Sequence, residues 1–130
     1  MHKQLLIFGF INCLLAVILG AFAAHSLDGQ ISLKSINAFQ TGVRYQFFHG
    51  IAICISAILL YLFQVKFYVV AARIHLIGII LFSGSLYILA LKKIIPISVS
   101  WLGPVTPIGG LFFIAGWILL IIATINIKDE

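Results

Sequence analysis

The side chains best suited to chemistry form a short polar stretch, Arg44, Tyr45, Gln46 and His49, which runs directly into the apolar segment 51–63. Inside a bilayer such groups are costly unless they find partners, so they mark the first place to look for function. The planar guanidinium of Arg44 binds carboxylates and phosphates through paired hydrogen bonds. The imidazole of His49 can bind a metal ion or carry a proton.

A second histidine, His25, ends the first apolar run and is expected on the same membrane side as His49, because consecutive spans run antiparallel. The sequence therefore predicts a polar cluster of His25, Arg44, Tyr45, Gln46 and His49 near one membrane face. This cluster could hold an anionic headgroup, a small anion or a metal ion. The competing interpretation is that these groups bond one another, as Tyr45 and His49 can at a spacing of four, or bond the carbonyl groups of a helix end.

Metal and haem chemistry find little support in the sequence. A zinc site built on two histidines needs a Cys or carboxylate to complete a tetrahedron, and Asp28 is the only nearby candidate. Haem ligation would require His25 and His49 to face each other at matched depth. His75 enters the membrane from the opposite side and is not expected to reach them. We therefore predict no metal and no cofactor.

Catalytic groups are also scarce. The acidic residues Asp28, Asp129 and Glu130 all lie outside the predicted spans, so no carboxylate is placed inside the membrane for proton exchange. Ser26 and Ser83 are not in a nucleophile motif, and the phosphate-loop and dinucleotide-binding patterns are absent. The sequence predicts a protein that is not an enzyme.

The composition places the whole chain in a membrane. Hydrophobic residues make up 63% of the 130 residues and charged residues only 8%, whereas a soluble domain carries about 25%. The net charge of +5 is spread over loops and both ends. It forms no dense basic patch of the kind that binds nucleic acid, and contact with lipid headgroups accounts for it.

The chain is predicted to be all-α, a polytopic membrane protein whose single domain, residues 1–130, is a four-transmembrane-helix bundle. An apolar run of about 20 residues is long enough to cross the hydrocarbon core. The predicted spans are about 5–24, 43–63, 69–91 and 108–127. A mixed segment at about 32–39 suits a short interfacial helix.

The first apolar run could be either a cleaved signal peptide or an uncleaved membrane span. The sequence AFAA at 21–24 resembles a signal-peptide cleavage site, but the run before it is long enough to span, which favours an uncleaved helix.

Lys and Arg residues do not decide the orientation of the chain in the membrane, because they divide equally between the two sides. One side has Lys3, Lys66, Arg73 and Lys128, and the other has Lys34, Arg44, Lys92 and Lys93.

Small residues at helical spacing predict where the helices approach closely. The residues expected to pack helices together are Ala16, Gly20, Ala24, Ser83, Gly84, Ser85, Gly109 and Gly116. Trp117, within the fourth span, is expected to fill space in the bundle or to face lipid.

Four stretches together resemble one family of small bacterial membrane proteins. They are GAFAAHSL at 20–27, YQFFH at 45–49, LFSGSLY at 81–87 and TPIGG at 106–110. Their order and spacing resemble the domain-of-unknown-function 423 family, the YgdD/YwdK-like small inner-membrane proteins. Ala23 departs from the glycine that we expect there. The resemblance implies four helices in the bacterial cytoplasmic membrane and implies no activity.

We therefore expect a non-enzymatic structural or accessory component of the bacterial cytoplasmic membrane. Its expected partners are membrane lipids and either a second copy of the chain or another membrane protein, and not nucleic acid. The alternatives are a small oligomeric transporter or channel, or a lipid- or metal-binding module, that uses the cluster of His25, Arg44 and His49.

Overall fold

A computed structural model describes residues 2–128, so Asp129 and Glu130 of the predicted polar tail lie outside the described residues. The described chain contains four helices that are long and apolar enough to cross a membrane. They are α1 (Lys3–His25), α2 (Leu33–Phe63), α3 (Phe67–Ala90) and α4 (Val105–Ile125). The predicted all-α architecture with four membrane helices is confirmed.

The helices pack largely in chain order. α1 packs almost entirely on α2, α2 also contacts α3, and α3 carries most of the contacts to α4. Small residues allow α1 and α2 to approach closely, since a Cβ added at Gly9 would collide with the Cys54 sulfur and one at Gly20 would lie 3.2 Å from Val43. Such close approach allows the van der Waals packing that helps to hold helices together in lipid.

α2 begins at Leu33, so the segment 32–39 is not a separate interfacial helix but belongs to the start of α2. The Ser32 hydroxyl caps the helix by accepting the backbone N–H of Ser35 at 3.2 Å. Phe39 is buried beside Leu27 of the α1–α2 loop, which anchors these first turns to the bundle. With no proline to break it, the helix runs on for 31 residues.

α3 contains a π-helical segment, Ile79–Ser83, near its middle. The Ser83 hydroxyl donates to the Gly42 carbonyl of α2 at 2.7 Å. On the other side, Gly109 of α4 lies against the Phe82 backbone so closely that an added Cβ would collide with it. The π-helical segment is therefore held between α2 and α4. Segments of this kind are frequent at functional sites.

α4 begins at Val105, three residues before the predicted span, and includes Pro107 in its first turn. Proline is tolerated there because the first backbone N–H groups of a helix have no intrahelical partner. Before it, a short 3₁₀ turn, Ser100–Leu102, carries the exposed Trp101. An exposed indole at a span end suits the membrane interface.

Two of the residues predicted to pack helices together lie elsewhere. Ala24 is exposed, and Ala23 is buried in its place. At about 100° per residue, a position seven residues after Ala16 stays within about 20° of its direction, whereas one eight residues later turns about 80° away. Gly84 faces open space, since a Cβ there would meet nothing within 4 Å.

The remaining predicted packing residues lie in helix contacts. Ala16 is fully buried on α1. Ser85 shares a hydrogen bond with the Thr106 hydroxyl of α4. A Cβ added at Gly116 would collide with the ring of His75. The tightest approaches therefore lie between α1 and α2 and between α3 and α4.

Substituting Gly109 by Ala should lower the free energy of unfolding by about 1–3 kcal/mol, the usual cost of overpacking. The added methyl meets the backbone of Phe82, which cannot rotate away. Gly84→Ala is the matched control, because its Cβ meets nothing and Ala favours the helix by up to about 1 kcal/mol. Thermal unfolding in a mild detergent measures both. Equal midpoints for the two variants would contradict this account of the α3–α4 contact.

Candidate functional site

The structure does not bring the predicted polar cluster together. His25 lies exposed at the end of α1, where the neighbouring Ala23 packs beside Phe39 of α2. His49 lies ten residues beyond Phe39 on α2, which is about 15 Å along the helix axis. The physical reason is the start of α2 at Leu33, which moves His49 from the mouth of a span to the middle of a helix.

Arg44 also points away from His49. Five residues separate them on α2, which rotates their side chains about 140° apart. The Arg44 side chain is exposed and donates to the Thr41 hydroxyl at 3.1 Å. It lines an open groove of about 270 Å³ between α1 and α2, beside Val17 and Gly20. Arg44 therefore belongs to the outer surface and not to the interior polar groups.

His49 is buried and both of its ring nitrogens are bonded. Its Nδ1 lies 2.7 Å from the backbone carbonyl of Tyr45, and its Nε2 accepts the indole N–H of Trp117 at 3.0 Å. The carbonyl can only accept and the indole can only donate, so the ring is the neutral tautomer with its proton on Nδ1. Tyr45 thus reaches His49 through its backbone and not, as the spacing suggested, through its hydroxyl.

His75 lies beside His49, contrary to the expectation that it could not join the other histidines. The two ring centroids are 5.1 Å apart in an edge-on arrangement. His75 stands more than two turns inside α3, which begins at Phe67, and therefore reaches the depth of the middle of α2. The ring is fully buried, and neither nitrogen has a hydrogen-bond partner among the described residues. The backbone of Phe113 lies near the His75 ring, but its position does not allow a hydrogen bond.

Aromatic rings surround the two imidazoles. Phe113 of α4 stacks on His49 with centroids 3.5 Å apart, and Trp117 lies 5.2 Å from His75. Tyr45 extends this group toward Phe82 at 4.6 Å. We call the set the imidazole cluster, and its members are Tyr45, His49, His75, Phe82, Phe113 and Trp117.

The imidazole cluster does not supply the donor set of a metal site. Residues 2–128 contain no group of three or more His, Cys, Asp or Glu side chains placed to hold an ion. Zinc sites in proteins use at least three such ligands. Beside the cluster, an open groove of about 370 Å³ runs along α4 and exposes part of His49 and Trp117. The arrangement can offer a buried imidazole nitrogen, that of His75, as a hydrogen-bond partner.

A separate chain of hydrogen bonds joins the first three helices. The Asn12 amide of α1 donates to the Phe8 carbonyl at 2.8 Å, and its oxygen accepts the Gln46 amide of α2 at 3.3 Å. The Tyr87 hydroxyl of α3 donates to the Gln46 oxygen at 2.6 Å. Gln46, predicted as part of the polar cluster, is therefore committed to holding helices together.

Sequence reasoning missed the partners Asn12, His75, Tyr87 and Trp117. Each is a polar or partly polar side chain inside an apolar span, and such groups are expected to be paired when buried. That signal marks them as needing a partner. The signal does not say which helix supplies the partner, because the partners are far apart in sequence. Gln46 is 34 residues from Asn12 and 41 from Tyr87, and His49 is 68 residues from Trp117.

Replacing Trp117 by Phe should lower the free energy of unfolding by about 0.6–1.7 kcal/mol, the range for hydrogen bonds between membrane helices. The change leaves Nε2 of His49 without its donor. In ¹⁵N spectra of the ring nitrogens, His49 should stay protonated on Nδ1 in both proteins, because the Tyr45 carbonyl remains, but the signal of its unprotonated Nε2 should shift in the variant. Trp101→Phe, at an exposed site, is the control. An unchanged His49 spectrum in Trp117→Phe would contradict the assigned bond.

Comparison with known proteins agrees with the architecture. The family described as "Protein of unknown function (DUF423)" matches residues 19–110. The UPF0382 membrane protein YwdK of Bacillus subtilis is 42% identical over 95% of this chain and 98% of its own length. A UPF0382 membrane protein of Staphylococcus haemolyticus is 40% identical over 94% and 95%. No solved structure gives a significant match. The chain is a multi-pass bacterial membrane protein and belongs to the DUF423 family, whose function is uncharacterised.

Proposed function

We propose that this protein is a non-enzymatic structural or accessory component of the bacterial cytoplasmic membrane, which acts by packing against another membrane protein or a second copy of itself. The observation that carries the proposal is the closed interior of the bundle. Gln46 and His49 at its centre are hydrogen-bonded across helices, and several of its glycines pack directly against neighbouring side chains.

The closed interior leaves little room for a solute path through a single chain. Gly116 lies against the His75 ring, and Gly78 lies against Phe113, so that even a methyl group would collide at either site. Ala52, Ala57 and Ala72 have at most 1% of their surface exposed. Five grooves at the surface of residues 2–128 open on the outside of the bundle.

The interior hydroxyl groups are engaged in structural bonds. Ser56 donates to the Ala52 carbonyl at 2.7 Å within its own helix. Ser83 donates to Gly42 across a helix contact. A nucleophilic serine needs an adjacent base to activate it, and none of these contacts supplies one. This supports a role other than catalysis.

The outer face of α1 is the surface best suited to a partner. Only 17% of the most apolar 18-residue stretch of α1 is buried, which is the smallest fraction among the four helices. Phe10, Leu14 and Val17 are about 60% exposed there. Lipid chains can cover such a face, and so can a helix of another protein.

A photocrosslinking residue at position 14 of α1 should give one discrete crosslinked product in bacterial cells, either a dimer of the chain or a complex with one membrane protein. The same residue at position 121, an exposed position of α4, is the matched control. Crosslinks to lipid alone at position 14, together with a monomer in mild detergents and in nanodiscs, would overturn the proposal.

A second candidate function is a small oligomeric transporter, and the unpaired His75 favours it. A buried ionisable group inside the membrane often marks an ion or proton path. The imidazole pair of His49 and His75 would then replace the cluster that the sequence suggested around His25 and Arg44.

Proteoliposomes separate the two candidates. If the structural role is correct, vesicles that contain the protein and the pH dye pyranine should lose an imposed pH gradient at the rate of protein-free vesicles. Faster loss in the wild type that returns to the protein-free rate in His75→Asn, but not in Lys93→Gln, would support the transporter instead.

A further inference from the structure

We propose that the groove between α1 and α3 binds the headgroup and an acyl chain of an anionic phospholipid. Both helices pack on α2 but scarcely on each other. The gap between them is about 670 Å³, the largest of the grooves described. This volume falls within the usual range of small-molecule sites, about 300–1,000 Å³. The inference goes beyond the proposed function, since it concerns a different face of the bundle.

The mouth of the groove is positively charged. Lys3 at the start of α1 and Arg73 of α3 line it, together with His2 and Gln4, and no acidic side chain of residues 2–128 does. Both cationic side chains are exposed. The one acidic side chain among residues 2–128, Asp28, lies in the α1–α2 loop at the other end of α1. An anionic group at this mouth would therefore meet two cations.

The floor of the groove is apolar and lies deeper in the membrane. Leu76 lies almost one turn beyond Arg73 along α3, and Phe8 lies more than one turn beyond Lys3 along α1. Leu5 forms part of the floor, where it packs against the buried residues of α2 and α3. Polar groups at the mouth and apolar groups beneath them match the order of phosphate and acyl chain in a phospholipid.

The depth of Arg73 also fits a phosphate. It lies about 9 Å along the helix from the start of α3 at Phe67, so its side chain must extend toward the interface to reach water or a headgroup. Basic pockets between membrane helices recognise anionic headgroups in this way.

The start of α1 adds a further attraction for negative charge. No side chain caps this helix, and its first turn holds no acidic residue. The first backbone N–H groups of a helix lack intrahelical partners, and the helix dipole favours an anion beside them. Because Lys3 opens both the helix and the groove, these groups lie at the same mouth.

The apolar floor selects a lipid over a free phosphate. A soluble phosphate can satisfy Lys3 and Arg73 but leaves Leu5, Phe8 and Leu76 uncovered. An acyl chain beneath a phosphate bound at Lys3 and Arg73 lies against that surface and covers it by van der Waals packing.

Native mass spectrometry of the full chain, released from mixed micelles of phosphatidylglycerol and phosphatidylcholine with the same acyl chains, tests the inference. The wild type should retain phosphatidylglycerol in preference to phosphatidylcholine. Arg73→Gln and Lys3→Gln should each reduce that preference about fivefold, as expected for one cation near a charged membrane surface. Lys93→Gln, at an exposed site on the opposite side, should leave it unchanged.

Further arms of the experiment identify the source of the phosphate and check the fold. Soluble glycerol phosphate at millimolar concentration should not displace the lipid, and Phe8→Ala should weaken retention of both lipids. Arg73→Lys should restore most of the preference, and circular dichroism should show unchanged helix content in every variant. Equal retention of the two lipids by the wild type, or full displacement by glycerol phosphate, would overturn the inference.

A separate variant tests the acidic residues Asp129 and Glu130, which follow α4 in the sequence. Their negative charge would compete with a phosphate for Lys3 and Arg73. The variant Asp129→Asn/Glu130→Gln should retain phosphatidylglycerol as the wild type does. A preference that appears only in this variant would overturn the inference for the intact chain. None of these outcomes depends on crosslinking at position 14 or on proton flux, so the proposed function and this inference can fail separately.

Discussion

Inside a bilayer no water is present to hydrogen-bond a polar side chain, so the side chain must find its partner within the protein. In this chain α2 supplies one partner in several of the bonds that meet this constraint. Gln46 joins Asn12 of α1 and Tyr87 of α3, while His49 accepts the indole of Trp117 of α4. Each bond fixes the rotation and height of one helix against α2. Together with the bonds between α3 and α4, these contacts set the arrangement of the bundle.

Close packing completes what the hydrogen bonds begin. Lipid gives helices no hydrophobic reason to associate, so contact between small residues and the facing helix has to supply the attraction. Gly109 meets the backbone of Phe82, and Gly116 meets the ring of His75. The His75 contact has a cost, because a buried imidazole without a hydrogen bond is unfavourable. The surrounding aromatic rings hold it in place and give the interior its one unpaired polar side chain among the described residues.

Under the proposed function, the bundle interacts through its outer surface. The exposed face of α1 and the groove between α1 and α3 differ in chemistry: the first is apolar, whereas the second combines Lys3 and Arg73 with an apolar floor. A protein partner and an anionic lipid can therefore occupy the same helix from different sides. In such an arrangement, lipid bound beside α1 would contribute to the surface that a partner meets.

The sequence by itself determined the number of spans, the absence of carboxylates within them and the family, because these depend on composition and on motifs in the linear sequence. It did not determine which polar groups meet. It grouped His49 with His25 and separated it from His75, and it chose Ala24 where Ala23 packs. A shift of one residue turns a helical side chain by about 100° and moves it about 1.5 Å. The predicted start of the second span was ten residues late, which placed His49 at a helix end and not in its middle. Contacts between helices depend on that rotation and height, and only the tertiary structure fixes them.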